Sequence, residues 1–407
     1  MDGETRSLVI RNGSVLLGNS RLETCDVLLA RGRIAALGHD LAADAVLDVG
    51  GAFVLPGLID LHTHGIGRES MASAALEGYA RLEAAHGATA FFPTLFGPPP
   101  ESIGYMQRHR EHDPAHAGAQ VAGFRLESPY LAHTGAGLSR DLAPITAETT
   151  EALLAAGGGQ VKIWDISPEL PGAPELVRRL SADGIVCSLA HTHASIKQAR
   201  AVVDAGARLV THLFDTFAMP AMVDPGVYPA GLVDYLLVED RVVCEIIADG
   251  THVHPLLVEQ ALRCKTPDRL AWVTDSNFGA GLPPDEYDAP GWGPVVVGHP
   301  NHGVRLRDRG LVLAGSALTP IDGFRNAIRL FGRDLAVASR LCSATPARLL
   351  GLNKGTLDVG RDADIIVLDA GLDLLFTIVA GEIVYGGPDP CRSDRRDQRS
   401  DEAPGDR

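Results

Sequence analysis

Val54-Leu-Pro-Gly-Leu-Ile-Asp-Leu-His-Thr-His-Gly65 is an apolar run that ends in two histidines one residue apart. Read as a strand, Val54 to Leu61 is apolar enough to be buried on both faces, as strands of a parallel sheet are. The period of two then aims His62 and His64 the same way from its C-terminal end. Two neutral imidazoles leaving one strand end make half of a coordination shell for zinc or a similar cation. A pair of ordinary surface histidines looks the same in isolation, so the rest of the chain has to decide.

Working outward, strand-like runs recur from about residue 54 to 350 with helix-like segments between them. They are Thr89-Ala-Phe-Phe-Pro-Thr, Gly123-Phe-Arg-Leu-Glu-Ser-Pro, Val161-Lys-Ile-Trp-Asp-Ile, Ile185-Val-Cys-Ser-Leu-Ala-His, Ala207-Arg-Leu-Val-Thr-His, Val243-Cys-Glu-Ile-Ile-Ala-Asp and Leu270-Ala-Trp-Val-Thr-Asp. With the opening strand they make the strand complement of an α/β fold, a (β/α)8 TIM-like barrel. Ala72 to Ala85, Pro174 to Ala182 and Pro255 to Leu262 are long enough for connecting helices. Residues 8 to 48 alternate short β-rich runs with turns, and 355 to 385 show the same texture, so the two chain ends are expected to form one small antiparallel β-sandwich domain. The expected boundaries are 1–54 plus 352–387 for that domain, 55–351 for the barrel and 388–407 for a polar, disordered tail.

Composition narrows the function. With 407 residues, 45% of them hydrophobic, the chain can bury a large core. A formal charge of −15 without a basic stripe disfavours nucleic acid as a partner. The N-terminus has no basic segment followed by an apolar run, and no apolar stretch is of spanning length, so a cytoplasmic protein with no membrane partner is expected. Six cysteines without C-x-x-C spacing suggest neither a disulfide framework nor a thiolate metal site.

The chemistry emerges at the strand ends, which carry His62 and His64, Glu127, Lys162 or Asp165, His191, His212, Asp249 with His252, and Asp275. In a (β/α)8 barrel those ends converge on one mouth, so ligands distant in sequence can share a site. Fifteen histidines scattered at random would not be expected to fall at four strand ends. His39, His86, His109, His112, His116, His299 and His302 fit no such pattern.

Taken together, Pro56-Gly-Leu-Ile-Asp-Leu-His-Thr-His-Gly65, Arg125-Leu-Glu-Ser-Pro129, Ala190-His191, Thr211-His-Leu-Phe214, Ile247-Ala-Asp-Gly-Thr-His252, Val273-Thr-Asp275, Leu313 to Thr319 and Ala344-Thr-Pro-Ala347 resemble, in order and spacing, the amidohydrolase superfamily. Within it they resemble the N-acetylglucosamine-6-phosphate deacetylases. The resemblance implies that Glu127, His191 and His212 hold a catalytic divalent metal, zinc first among candidates, with an open place for water. It implies that His62 and His64 hold a second ion bridged by Glu127, that Asp275 is the general acid and base, and that His252 lies beside the substrate. A small-molecule N-acetylated substrate and a homodimer are implied as well. In many members of the wider superfamily a carboxylated lysine at the fourth strand bridges two metals, which makes Lys162 a rival. Glu127 is preferred because its flanking motif matches and the segment from Val161 to Glu169 resembles the deacetylases' fourth strand, which uses no such lysine.

Several positions depart from the family pattern. Glu-Gly-Pro is here Glu127-Ser128-Pro129, and the substrate-polarising histidine that follows has no counterpart, leaving His133 in the same loop as a substitute. His193 stands where a small or amide side chain is expected. The phosphate-contacting Asn-Ala is Asp215-Thr216, and the arginine before Glu-Pro-Gly is Val223. An aspartate repels a phosphate dianion, and loss of arginine removes a bidentate clamp, so an unphosphorylated substrate is expected. Arg68 is a candidate replacement cation, or a surface partner of Glu69. The leading expectation is hydrolysis of the N-acetyl amide of an amino sugar. The alternatives are another N-acyl amine, a cyclic amide or a deaminated ring at the same site, or a non-catalytic scaffold.

Overall fold

In the computed structural model, which describes residues 7–73, 75–110, 118–220 and 224–386, the opening stretch is divided between two sheets. Phe53–Pro56 belongs to the sheet built from the chain ends, antiparallel to Ile365–Leu368 and parallel to Leu8–Leu17, while Leu58–Thr63 is the first barrel strand. Gly57 is the junction. Its amide donates to the Asp364 carbonyl at 2.9 Å, and a Cβ there would stand 2.1 Å from the Thr89 side chain. The reading of Val54 to Leu61 as one strand is thus corrected. Periodicity could not reveal the break, because both pieces are apolar and buried.

The chain ends do share one sheet, in the order Glu382–Tyr385, Leu374–Val379, Ile365–Leu368, Phe53–Pro56, Leu8–Leu17, Arg21–Ala30, Arg33–Gly38. Its core contains Ile10, Val15, Val27, Leu29, Val54, Ile365, Val367 and Ile378. It is not purely antiparallel: Leu8–Leu17 also pairs in parallel with Ala45–Asp48 along its first half, and the irregularity between Ile10 and Gly13 lets the same strand turn to Phe53–Pro56 along its second. The segment from 388 onward lies outside the described residues.

The eight barrel strands are Leu58–Thr63, Ala88–Leu95, Phe124–Leu126, Val161–Ile166, Val186–Leu189, Leu209–Val210, Val243–Ile247 and Leu270–Val273, each parallel to the next. The ring closes where Asp275 N donates to His62 O at 2.8 Å and His64 N to Ser276 O at 2.8 Å. Ile59, Leu61, Ala90, Phe92, Ile163, Leu209, Val243, Ile247, Ala271 and Val273 fill the interior, and a larger apolar layer packs helices such as Leu76–Ala85, Ala173–Ala182 and Pro255–Cys264 on the outside. Small residues opposite large ones let the interior fill as a packed core, which leaves the polar chemistry to the C-terminal mouth.

One unit has no counterpart in the sequence reading. Asp285–Ala289, Gly293–Val297, Val304–Leu306 and Val312–Leu313 form a four-stranded antiparallel sheet after the eighth strand. It carries its own small core, with Phe278, Val295, Val297, Val304 and Leu306.

Candidate functional site

Each candidate side chain leaves the barrel at or just past a strand end. His62 and His64 terminate the first strand, Glu127 follows the third, and His191, His212 and Asp275 each stand two residues beyond theirs. Those last three have φ of +42°, +24° and +46°. A left-handed backbone is uncommon for residues other than glycine, and three such residues at one mouth mark a place where the surrounding fold over-determines local geometry.

The side chains converge on Glu127. Its Oε1 lies 2.9 Å from His191 Nε2 and 3.3 Å from His212 Nε2, while its Oε2 lies 3.0 Å from His64 Nε2 and 3.3 Å from His62 Nε2. Two groups suited to holding a metal ion therefore share one carboxylate: His62, His64 and Glu127, and Glu127, His191 and His212. Asp275 Oδ1 stands on the first group's side, 3.3 Å from His62 Nε2 and 3.2 Å from His64 Nε2.

Charge and burial are tightly balanced here. Burial opposes a positive His64 or His212, yet Glu127 with Asp275 around the first and Glu127 with Asp215 around the second lift both to about 10. Burial likewise opposes ionisation of Glu127 and Asp275, but the imidazoles of His62 and His64 outweigh it and hold both carboxyls well below their ordinary range. Without a cation, the site thus draws protons onto His64 and His212. That is the behaviour of a donor set shaped for positive charge.

Beneath the site lies a fully buried ion network that the sequence reading missed. Arg125 donates to Glu245 at 2.6 and 3.0 Å, to Asp165 at 3.1 and 3.1 Å, to Thr211 Oγ1 at 3.0 Å and to the Leu61 carbonyl at 3.1 Å. Burial would raise the Glu245 carboxyl, but Arg125 brings it down to about 2. Glu245 Oε2 stands 3.6 Å from His62 Nδ1 and accepts from the His212 backbone N–H at 3.4 Å, so the network supports the rings that face the mouth. A signal was available: Arg125 and Glu245 each interrupt an apolar strand run, and a charge inside a barrel has to be paired there. Asp165 belongs to this network, and Lys162 points the other way, donating to Gly159 O at 2.8 Å.

The mouth is a cleft of about 370 Å³ lined by His64, Glu127, His191, His212, Asp215, Thr216, His252 and Asp275, with Phe96, Thr134, Trp292 and Leu313 among its other walls. Leu313 comes from the four-stranded sheet and Trp292 from the turn between its first two strands, a unit that the sequence reading did not foresee. His252 Nδ1 is tied to Asp249 Oδ2 at 2.7 Å, which leaves its Nε2 for a ligand. His133 stands beside the cleft-lining His191 and is not itself among the lining residues. Its ring packs 5.8 Å from that of His191 and 4.4 Å from that of His193, and Thr134 and Gly135 face the cleft instead. Ser128 exchanges hydrogen bonds with Gly97, donating to its carbonyl at 2.7 Å and accepting from its amide at 2.9 Å. Arg68 stacks over the Tyr287 ring at 5.3 Å and is exposed; Val223 lies outside the described residues.

A closed ring of eight parallel strands whose mouth gathers four histidines around one shared carboxylate belongs to the class of (β/α)8 barrels equipped to hold divalent cations. The sequence profile of the amidohydrolase family matches residues 53–390, and the chain belongs to that family. It is 32% identical over 388 residues to the N-acetylglucosamine-6-phosphate deacetylase of Lysinibacillus sphaericus, covering 93% of this chain and 97% of the other. It is 30% identical over 387 residues to the N-acetylgalactosamine-6-phosphate deacetylase of Escherichia coli O157:H7, covering 92% and 98%. Among solved structures, the N-acetyl-D-glucosamine-6-phosphate deacetylase of Mycobacterium smegmatis superimposes with a TM-score of 0.81 at 29% identity, covering 93% of this chain and 100% of that one. Among the described residues, no helix is long and apolar enough to cross a membrane.

Proposed function

We propose that this protein removes the acetyl group from an N-acetylated amino sugar, with Asp275 as general acid and base at a centre held by Glu127, His191 and His212 and completed by His62 and His64. The observation that carries the reading is the division of Glu127 between two histidine pairs with Asp275 at 3.2 to 3.3 Å from one of them. Four imidazole nitrogens around one carboxylate, all buried or nearly so, form a nitrogen and oxygen donor set that fits zinc. A divalent cation supplies polarisation of the amide carbonyl and a more acidic attacking water. Asp275 accepts that water's proton and returns it to the leaving nitrogen. His252, fixed through Asp249, orients the sugar from the cleft wall.

Asp215 and Thr216 line the same cleft. The relatives named above carry a sugar 6-phosphate in their names, whereas an aspartate in this wall opposes a dianion. The reading is therefore of an unphosphorylated acetamido sugar, in a cytoplasmic homodimer. Light scattering of purified protein tests the dimer, and elemental analysis tests zinc. The deciding experiment is kcat/KM for N-acetylglucosamine and N-acetylgalactosamine with and without the 6-phosphate. Like charges about 4 Å apart repel by roughly 1 to 4 kcal/mol between bulk water and a protein surface, so with Asp215 in the wall the neutral sugar is expected to lead by about tenfold or more. A tenfold lead for the phosphorylated sugar overturns the substrate assignment, and no turnover of any acetamido sugar overturns the reaction.

A further inference from the structure

The strand that carries His62 and His64 meets the strand that leads to Asp275 at the closing seam of the barrel, and this seam is thin. Among the described residues its backbone pairing consists of an isolated bridge between Thr63 and Ser276, with Asp275 N donating to His62 O and both His64 N and Gly65 N donating to Ser276 O. Hydroxyl groups supply what the ladder lacks. Alternation points His62 and His64 into the mouth and sends Thr63, between them, to the other side of the strand. Thr63 Oγ1 lies 2.8 Å from Ser276 Oγ and 2.7 Å from the Tyr79 hydroxyl, and it donates to Glu83 at 3.3 Å. Thr274 Oγ1 donates to Asp60 at 2.5 Å and is 3.0 Å from Ser276 Oγ, while Ser316 donates to the Thr274 carbonyl at 2.5 Å.

Asp60, Thr63, Tyr79, Glu83, Thr274 and Ser276 are each at most 3% exposed, so water does not compete for these bonds. Thr274 and Ser276 flank Asp275, whose own backbone is left-handed and whose carbonyl accepts from Ser316 N at 2.7 Å. Tyr79 and Glu83 are four residues apart on the helix Leu76–Ala85 and meet Thr63 from one helical face. The chain of contacts thus runs from that helix, through the residue between the two histidines, to both neighbours of Asp275.

We propose that Thr63, Ser276 and Tyr79 are positioning residues that set the distance between Asp275 and the His62–His64 pair, and through it the rate of proton transfer. The inference rests on the deacetylase reading above, in which Asp275 moves the proton. None of the three touches the cleft, so substrate binding does not depend on them. A displacement of about 1 Å at a reacting group costs up to roughly a hundredfold in rate.

The test uses the metal-loaded full chain with an acetamido sugar as probe. Thr63→Val keeps the shape but removes the hydroxyl, and should lower kcat by about tenfold with KM within about twofold and metal content unchanged. Thr63→Ser should restore most of the loss. Tyr79→Phe leaves both strands intact and should lower kcat in the same direction, which keeps the test open if the valine variant folds poorly. The inference is overturned if both variants keep kcat within twofold, if Thr63→Ser is as slow as Thr63→Val, or if the lost rate merely follows lost metal. Crystal structures of wild type and Thr63→Val give a readout that needs no turnover. Asp275 should move relative to His62 and His64, and an unmoved carboxylate overturns the inference even where the deacetylase reading itself has failed.

Discussion

Replacing Asp275 by Asn removes proton transfer while keeping size and polarity. In the structure Asp275 Oδ1 is 3.3 Å from His62 Nε2 and 3.2 Å from His64 Nε2, and the residue is buried. The described carboxylates on the cleft wall are Glu127, Asp215 and Asp275. Glu127 is committed to four imidazoles, and Asp215 lies 3.9 Å from His212 Nδ1, on the other side of that ring from the Glu127 contact. Among the described residues, no other carboxylate on the cleft wall stands ready to take over. Positioned general acid and base catalysis contributes roughly a hundred- to ten-thousandfold, which is about 2.7 to 5.4 kcal/mol of barrier. Asp275→Asn should therefore lower kcat by at least about a hundredfold, with KM little changed and metal content near normal. The assay is steady-state release of acetate from an acetamido sugar, run beside elemental analysis of the same preparation. Turnover within tenfold of wild type at full metal content would refute the assignment of Asp275.

Three further outcomes follow from the same geometry. Glu127→Ala removes the carboxylate shared by both groups, so bound metal should fall to near zero, whereas His64→Ala should leave the ion held by His191 and His212; elemental analysis reads both. Arg125→Met leaves Asp165 and Glu245 buried without their cation, and breaking such a network costs about 3 to 5 kcal/mol, visible as a large fall in Tm by calorimetry. In metal-free protein the stabilisation from His64 and His212, both lifted to about 10, is complete below the ordinary imidazole pKa of about 6.5 and fades as pH rises toward 10. Tm in the presence of chelator should therefore decline from neutral to alkaline pH and the decline should vanish with metal, and a flat chelated profile would contradict the charge balance described.

The sequence by itself determined the repeating strand and helix pattern, the pairing of the two chain ends, and which polar residues stand at strand ends. Those properties follow from periodicity and from local residue type, which neighbours in the chain already express. The convergence of His62, His64, Glu127, His191, His212 and Asp275 was legible for the same reason, since a (β/α)8 barrel brings every strand's C-terminal end to one mouth. What only the tertiary structure decided depends on contacts between distant segments. The opening run divides at Gly57, where Thr89 leaves no room for a side chain, a contact which no reading of residues 54 to 61 contains. Lys162 turns to Gly159, and His133 packs its ring 5.8 Å from that of His191, through loop paths and strand twist that packing sets. Trp292 reaches the cleft on a turn of the sheet inserted after the eighth strand, whose short strands follow the turn chemistry of their own segment and not the barrel's repeat. Arg125 found Asp165 and Glu245, 40 and 120 residues away, because a charge buried in a barrel is stable only where the fold brings its partners.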